Sequence, residues 1–269
     1  MISVIDFSRI LWYTDTPNFN ILNKEAVFFM NQPYYMAYED RYRRVFEAGI
    51  ELWGHSPDDE ILVRTLTEWV EKNDLAGKTV AEFACGEGAA GVILSKLGVR
   101  YCGFDIAPSA VKKAGGRLRD FPYARVEQLD MVKETAGLPE TFDAALDCMG
   151  FHMLLTDTDR DAYLKNVHDV LKPGAPMLFF RESYRENAYT GVVESFEHWK
   201  EITGDDYTTP QLRTNPDGKE IRIPCVPARA RNREGYTTEL ERAGFAVENF
   251  TGMDHNSAIQ YSVSIYARK

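Results

Sequence analysis

Apolar positions from residue 78 onward fall into short continuous runs separated by stretches with helical spacing. Lys78-Thr79-Val80-Ala81-Glu82-Phe83-Ala84 reads as a buried strand, and 99–105, 124–129, 142–148 and 176–180 read the same way. Helices are predicted from the Gly86–Gly91 turn through Leu97, over 109–118, and over 156–171, where Tyr163, Leu164, Val167, Val170 and Leu171 recur at helical intervals. Lys172-Pro173-Gly174 stops the last of these. Strands alternating with helices imply a parallel sheet covered on both faces. The C-terminus differs: a helix over 233–243 closes at Gly244, then strands over 246–250 and 261–267 follow with no helix between them. Such a pair must be antiparallel, so the last strand is reversed. The expected fold is α/β, a doubly wound, mostly parallel seven-stranded sheet with a reversed last strand.

Two segments lie outside that pattern. Residues 1–75 carry predicted helices over 38–52 and 57–72 and read as an N-terminal helical cap. Residues 184–232 are long, irregular and rich in Tyr, Arg and Pro, the character of an inserted lid over a substrate or of a segment with a small structure of its own. The expected organisation is a single domain, 1–269: cap, cofactor-binding core over 78–183, lid over 184–232, and a closing helix and strand pair over 233–269.

Composition narrows the field. The chain has 269 residues, 44% hydrophobic and 27% charged, with a formal net charge of −10. That acidity disfavours binding to nucleic acid, which depends on neutralising phosphates. Cys85, Cys102, Cys148 and Cys225 are far apart and read as reduced thiols, and the five histidines (His55, His152, His168, His198, His255) show no metal-binding spacing, so no metal is expected. No signal peptide or membrane span is evident. A cytoplasmic protein with no membrane partner is the expectation, its oligomeric state open.

The chemistry concentrates at Glu82-Phe83-Ala84-Cys85-Gly86-Glu87-Gly88-Ala89-Ala90-Gly91. Glycine lets the backbone approach a ligand and adopt positive φ, and the helix that follows presents unpaired N–H groups. A ligand therefore docks over the carboxyl end of this strand. Gly86-x-Gly88-x-x-Gly91 with Asp105 at the end of the second strand also fits a dinucleotide fingerprint. Glu82, inside the first strand, breaks the tie, because a nicotinamide enzyme usually carries an apolar residue there.

This segment resembles motif I of the class I S-adenosylmethionine-dependent methyltransferases, and the resemblance continues along 78–183. Phe104-Asp105-Ile106 looks like the ribose-binding acid and its apolar neighbour under adenine. Gln128-Leu129-Asp130-Met131 resembles the loop whose acid meets the adenine amino group. Phe142-Asp143-Ala144-Ala145-Leu146-Asp147 is similar to the fourth-strand motif facing the methyl group, and Leu171-Lys172-Pro173-Gly174 to the turn before the fifth strand. The resemblance implies S-adenosylmethionine as cofactor, held by Glu82, Ala84, Gly86, Gly88, Asp105, Ile106, Asp130, Met131 and Asp147. Ala84 departs from the family, which usually has glycine there. The N-terminal segment Tyr42 to Gly54 is similar to one that folds over the cofactor in small-molecule methyltransferases, with a core-facing aromatic stripe as the alternative.

Methyl transfer needs alignment and a dry site above all, and a base where the acceptor is a hydroxyl or thiol. His152, past the fourth strand, is the candidate base. Arg181 and Glu182, at the end of the fifth strand, and Tyr184 are candidate substrate contacts, with an Arg181–Glu182 ion pair as the alternative. Arg229, Arg231 and Arg233 read first as a solvated charged loop and second as a grip on a carboxylate or phosphate. The expected function is methyl transfer from S-adenosylmethionine to a small-molecule O, N or S acceptor. The alternatives are a nicotinamide-dependent oxidoreductase, which lacks a Tyr-x-x-x-Lys pair here, and a non-catalytic binding protein that keeps the fold.

Overall fold

The computed structural model describes residues 33–133, 138, 141–254 and 261–269. Residues 1–32 of the expected cap, and His255, lie outside the described residues. Among the described residues nine strands form: β1 (Thr79–Phe83), β2 (Arg100–Asp105), β3 (Ala124–Gln128), β4 (Ala144–Cys148), β5 (Pro176–Ser183), β6 (Gln211–Thr214), β7 (Glu220–Ile223), β8 (Ala246–Asp254) and β9 (Tyr261–Arg268). Seven of them make one sheet in the order β3-β2-β1-β4-β5-β9-β8, and β6 and β7 make a separate hairpin. β1 to β5 pair in parallel, while β9 runs antiparallel to both β5 and β8. The reversed strand predicted from the missing crossover helix is therefore present, one place in from the sheet edge.

Among the same residues, seven α-helices accompany the strands: α1 (Ala37–Glu47), α2 (Glu60–Lys72), α3 (Ala89–Lys96), α4 (Pro108–Leu118), α5 (Asp157–Val170), α6 (Phe196–Thr203) and α7 (Arg233–Arg242). Their starts follow local chemistry. Asp59 caps α2 by accepting from the N–H groups of Ile61 and Leu62, Thr156 caps α5, Asn232 caps α7, and Pro108 occupies the first turn of α4.

The strand period of two sends alternate residues to opposite faces. On one face Val80, Ala144, Leu146, Leu178 and Phe180 pack with Leu62, Leu66 and Trp69 of α2 and Ile93 and Leu94 of α3. On the other, Phe83 lies 5.7 Å from Phe104 and 6.1 Å from Tyr163 of α5, and Phe151 lies 5.4 Å from Phe179 and 5.9 Å from Tyr236 of α7. Burying a side chain of this size contributes roughly 1.5–3 kcal/mol. Two buried aliphatic and aromatic layers thus fix the sheet, and the carboxyl ends of β1, β2 and β4 open toward α1.

Three expectations change in detail. The first helix ends at Glu47 and not at Leu52. The strand expected to end at Phe180 continues to Ser183 through a bulge between Phe179 and Glu182. The segment expected to be irregular, 184–232, contains α6 and the β6–β7 hairpin.

Candidate functional site

The turn after β1 is held in an unusual conformation by its own sequence. Ala84, Gly86 and Gly88 have φ of +55°, +52° and +79°. The Asp105 carboxylate at the end of β2 accepts from the N–H of Gly86 at 2.8 Å and from the N–H of Ala107 at 2.8 Å. It therefore ties the glycine turn to the start of α4. A Cβ on Gly86 would stand 2.8 Å from the Tyr42 hydroxyl, so a side chain there would press on the Tyr42 ring of α1 as well as strain the turn. Gly91 serves a different purpose: a Cβ there would strike the Tyr101 ring at 2.6 Å. That close approach of α3 to β2 lets the Tyr101 hydroxyl donate to the Glu82 carboxylate.

Two cavities meet above these strand ends. The first, with an empty volume of about 590 Å³, is bordered by Ala84, Asp105, Ile106, Asp130 and Met131, and roofed by Tyr35, Tyr38 and Tyr42. The second, about 770 Å³, is bordered by Glu82, Gly86, Glu87, Arg41, Trp53 and His55. Tyr38, Tyr42, Ala84, Cys148 and Met153 border both, so the two adjoin along these residues.

α1 is the roof. The Tyr35 hydroxyl donates to Asp130 at 3.1 Å, Glu39 accepts from the Ser109 N–H at 3.0 Å and hydroxyl at 2.7 Å, and the Tyr38 hydroxyl donates to the Pro227 carbonyl at 3.1 Å. Arg41 Nε donates to the Pro224 carbonyl at 3.2 Å. The roof helix is thus fastened on one side to α4 and on the other to the segment after β7.

Burial sets the charge states. It pushes the Glu82 carboxyl up to about 8, against the Tyr101 hydrogen bond, which favours the ionised form. It raises Asp105 to about 6, with the backbone N–H bonds pulling the other way. Burial also raises the hydroxyl pKa of Tyr42 well above its usual value, so that group stays a neutral donor. Two acids, one at each end of the turn, consequently sit in a site that charge or hydrogen-bond donors on a ligand would draw toward ionisation.

Of the expected cofactor residues, Glu82, Ala84, Gly86, Asp105, Ile106, Asp130 and Met131 border this space. Gly88 does not; its φ starts α3, and a Cβ there would press on Ala114 of α4 at 3.0 Å. Asp147 is corrected too. Its fully buried carboxylate turns away, accepting from the N–H of Gly150 at 2.6 Å, the N–H of Phe151 at 3.2 Å and the Tyr163 hydroxyl.

The expected acceptor residues do not gather at the cavity. His152 is buried, its Nδ1 lies 2.8 Å from Glu182, and burial lowers its pKa to about 4. It borders neither cavity, so nothing in this geometry supports it as the base. Glu182 is spent on His152, accepting its backbone N–H at 2.8 Å as well. The bulge gives Arg181 a φ of +57° and points it to Asp59, at 2.8 Å, so Arg181 and Glu182 do not pair with each other. Tyr184 stacks edge-on against Tyr261 and donates to Glu186, clear of both cavities. Arg229 donates to the Leu155 carbonyl at 2.7 Å, Arg231 pairs with Glu239 at 3.0 Å, and Arg233 lies over the Phe250 ring, so all three are used in the fold.

Sequence reasoning missed Tyr35, Tyr38, Arg41, His55, Cys148 and Met153. Tyr35, Tyr38 and Tyr42 do repeat at helical spacing, which was the available signal. The resemblance of 42–54 to a segment folding over a cofactor pointed the same way.

Comparison with known proteins places this geometry. Residues 81–177 match the family model described as a methyltransferase domain. A ribosomal protein L11 methyltransferase of Edwardsiella ictaluri is 28% identical over 152 residues, 51% of this chain and 48% of the relative. The chain spans about half the length of that curated relative, and less of others. An S-adenosylmethionine-dependent methyltransferase of Clostridium acetobutylicum superposes with a TM-score of 0.59 at 14% identity, covering 93% of this chain and 99% of that one. The glycopeptide N-methyltransferase MtfA complexed with S-adenosylmethionine gives 0.53 at 18% identity, covering 76% and 92%.

One expectation is overturned by these relatives. A partner set limited to a small-molecule acceptor, without nucleic acid or membrane, does not stand beside relatives named for methylating a ribosomal protein. Among the described residues, no helix is long and apolar enough to cross a membrane. The sheet order, the glycine turn with its two acids and the matched segment 81–177 agree: the chain carries a methyltransferase domain in the class I S-adenosylmethionine-dependent methyltransferase fold.

Proposed function

We propose that this chain transfers a methyl group from S-adenosylmethionine to an acceptor that enters beside His55. The observation that carries the reading is the pair of adjoining cavities at the carboxyl ends of β1, β2 and β4, with Asp105 and Asp130 in one and Glu82 in the other. The residues fit the cofactor chemically. Asp105 and Asp130 offer acceptors to ribose hydroxyls and the adenine amino group, and Ile106, Met131 and Leu154 offer apolar surface to the base. Glu82 offers an acceptor to the ammonium, and Arg41 a cation to the carboxylate.

Bound, the sulfonium supplies an activated methyl group. The residues of this chain then do three things. Asp105 fixes the turn through two backbone bonds, so the floor of the site is set before any ligand arrives. Tyr35, Tyr38 and Tyr42 exclude water from above. Cys148 and Met153, which border both cavities, line the passage where the two reactants face each other.

The name borne by the curated relatives brings protein side chains into the acceptors to be tried. The test is calorimetric titration with S-adenosylhomocysteine, with NADH as control, followed by transfer of labelled methyl from the cofactor to proteins. Micromolar binding of S-adenosylhomocysteine alone is the expected result. Binding of NADH alone would make the chain an oxidoreductase, and binding without any transfer would favour a non-catalytic binding protein.

A further inference from the structure

His55 borders the second cavity, in the linker between α1 and α2, and each ring nitrogen has a neighbour whose chemistry bears on its role. Arg181 Nη1 lies 2.9 Å from Nδ1. A guanidinium can only donate, so Nδ1 accepts and carries no proton in this arrangement. The Asp59 carboxylate is farther from Nδ1, at 3.5 Å, and is taken by the same guanidinium. The Met149 thioether sulfur lies 3.1 Å from Nε2. A thioether can only accept, so Nε2 carries the proton. Two neighbours on different elements thus demand the same tautomer. The guanidinium is itself held, since Asp59 accepts from Nη1 at 2.8 Å and from Nη2 at 3.3 Å while capping α2. The Phe180 ring stands edge-on at 5.7 Å and locks the imidazole plane.

Resting on the methyltransferase reading, we infer that His55 recognises the methyl acceptor as an N–H donor, and that the acceptor carries a carbonyl or carboxylate oxygen near its reacting atom. The thioether is a weak hydrogen-bond acceptor, and Met149 holds the left-handed φ of +62° that a β-carbon disfavours. An oxygen of the incoming molecule replaces the sulfur at Nε2 with a stronger bond. The two carboxylates of the same cavity have donors of their own. Glu82 accepts from Tyr101, and Glu87 accepts from the Trp53 N–H at 2.8 Å and from Arg117 at 3.2 Å. The locked tautomer also bars His55 from acting as a base at Nε2, so its part is to orient the acceptor.

The experiment is long-range proton–nitrogen NMR on the full chain with ¹⁵N-histidine, first free and then with S-adenosylhomocysteine, titrating acetate as the oxygen-bearing probe. The expected spectrum of the free chain shows His55 as the Nε2–H tautomer at neutral pH. Acetate then shifts the Nε2 resonance saturably, and at several-fold lower concentration in Met149→Leu, where the competing sulfur is gone. A Nδ1–H tautomer, or an Nε2 resonance that acetate leaves in place in both proteins, would overturn the inference. Failure of S-adenosylhomocysteine to bind would overturn the cofactor reading instead, and the tautomer of the free chain would still decide the role of His55.

Discussion

Ala84 and Gly150 share one space. Ala84 has a φ of +55°, and a Cβ built on Gly150 would lie 2.4 Å from the Ala84 Cβ. The alanine standing where the family has glycine is therefore accommodated by a glycine on the turn after β4. Gly150→Ala is expected to lower stability by about 1–3 kcal/mol through overpacking. Ala84→Gly removes both the methyl and the strain, so it should recover part of that loss in the double variant, the Asp147 carboxylate at 2.8 Å from the new Cβ keeping the rest. Urea melts of the four proteins in the cycle check this; additive losses would mean the two positions are independent.

Asp105→Asn leaves one oxygen for two backbone donors, the N–H groups of Gly86 and Ala107. Losing a charge-assisted bond costs roughly 1.5–3 kcal/mol. Affinity for S-adenosylhomocysteine should fall correspondingly, about tenfold to a hundredfold. Calorimetry reads this directly, and an unchanged affinity would remove Asp105 from the site.

Glu82 gives a pH signature. Burial raises its carboxyl from 4.5 to about 8, so between those values the folded chain holds a proton that the unfolded chain has released. Its favourable contribution is complete below about pH 4.5 and is lost as pH rises toward 8. Glu82→Gln cannot titrate. The stability of that variant relative to the native protein should therefore climb between about pH 5 and pH 8, as read from urea melts at intervals across that range. A constant difference would show that the carboxyl is not raised.

His152 shows why a histidine near a predicted strand end is weak evidence for a base. Its partner Glu182 is fully buried, so His152→Phe leaves that carboxyl without its ring partner. The expected cost is about 1–3 kcal/mol of stability, with affinity for S-adenosylhomocysteine retained. Thermal melts and calorimetry on one preparation separate the two effects. Lost affinity at unchanged stability would return His152 to the site.

Much of this was legible because it is local. Apolar runs gave all seven sheet strands, the missing crossover gave the reversed β9, and the glycine turn located Asp105. The rest depends on neighbours distant in sequence. Nothing local to Arg181 announces a φ of +57°, yet that bulge turns it away from the strand end and toward Asp59, 122 positions earlier. Asp147 stands one residue before the end of β4, where the motif puts it, but its carboxylate meets Tyr163 of α5 and the turn at Gly150. Tyr35, Tyr38 and Tyr42 have the spacing of a core stripe. Only the position of α1 above the strand ends makes them a roof.

That roof sets the final expectation. The Tyr42 hydroxyl sits over Gly86 where the two cavities adjoin, and the ring stacks 5.7 Å from Phe46 along the same helix. A ligand beneath must leave past α1, whose links to Ser109 and Pro227 do not involve Tyr42. Tyr42→Ala therefore opens the cover without detaching the helix. Removing part of the cover over a bound ligand acts mainly on dissociation, because encounter is limited by diffusion and orientation. Stopped-flow measurement should show S-adenosylhomocysteine leaving the variant roughly tenfold faster or more, with the association rate changed far less. If association accelerates as much as dissociation, α1 is a gate whose opening limits entry, and Tyr42 is its latch.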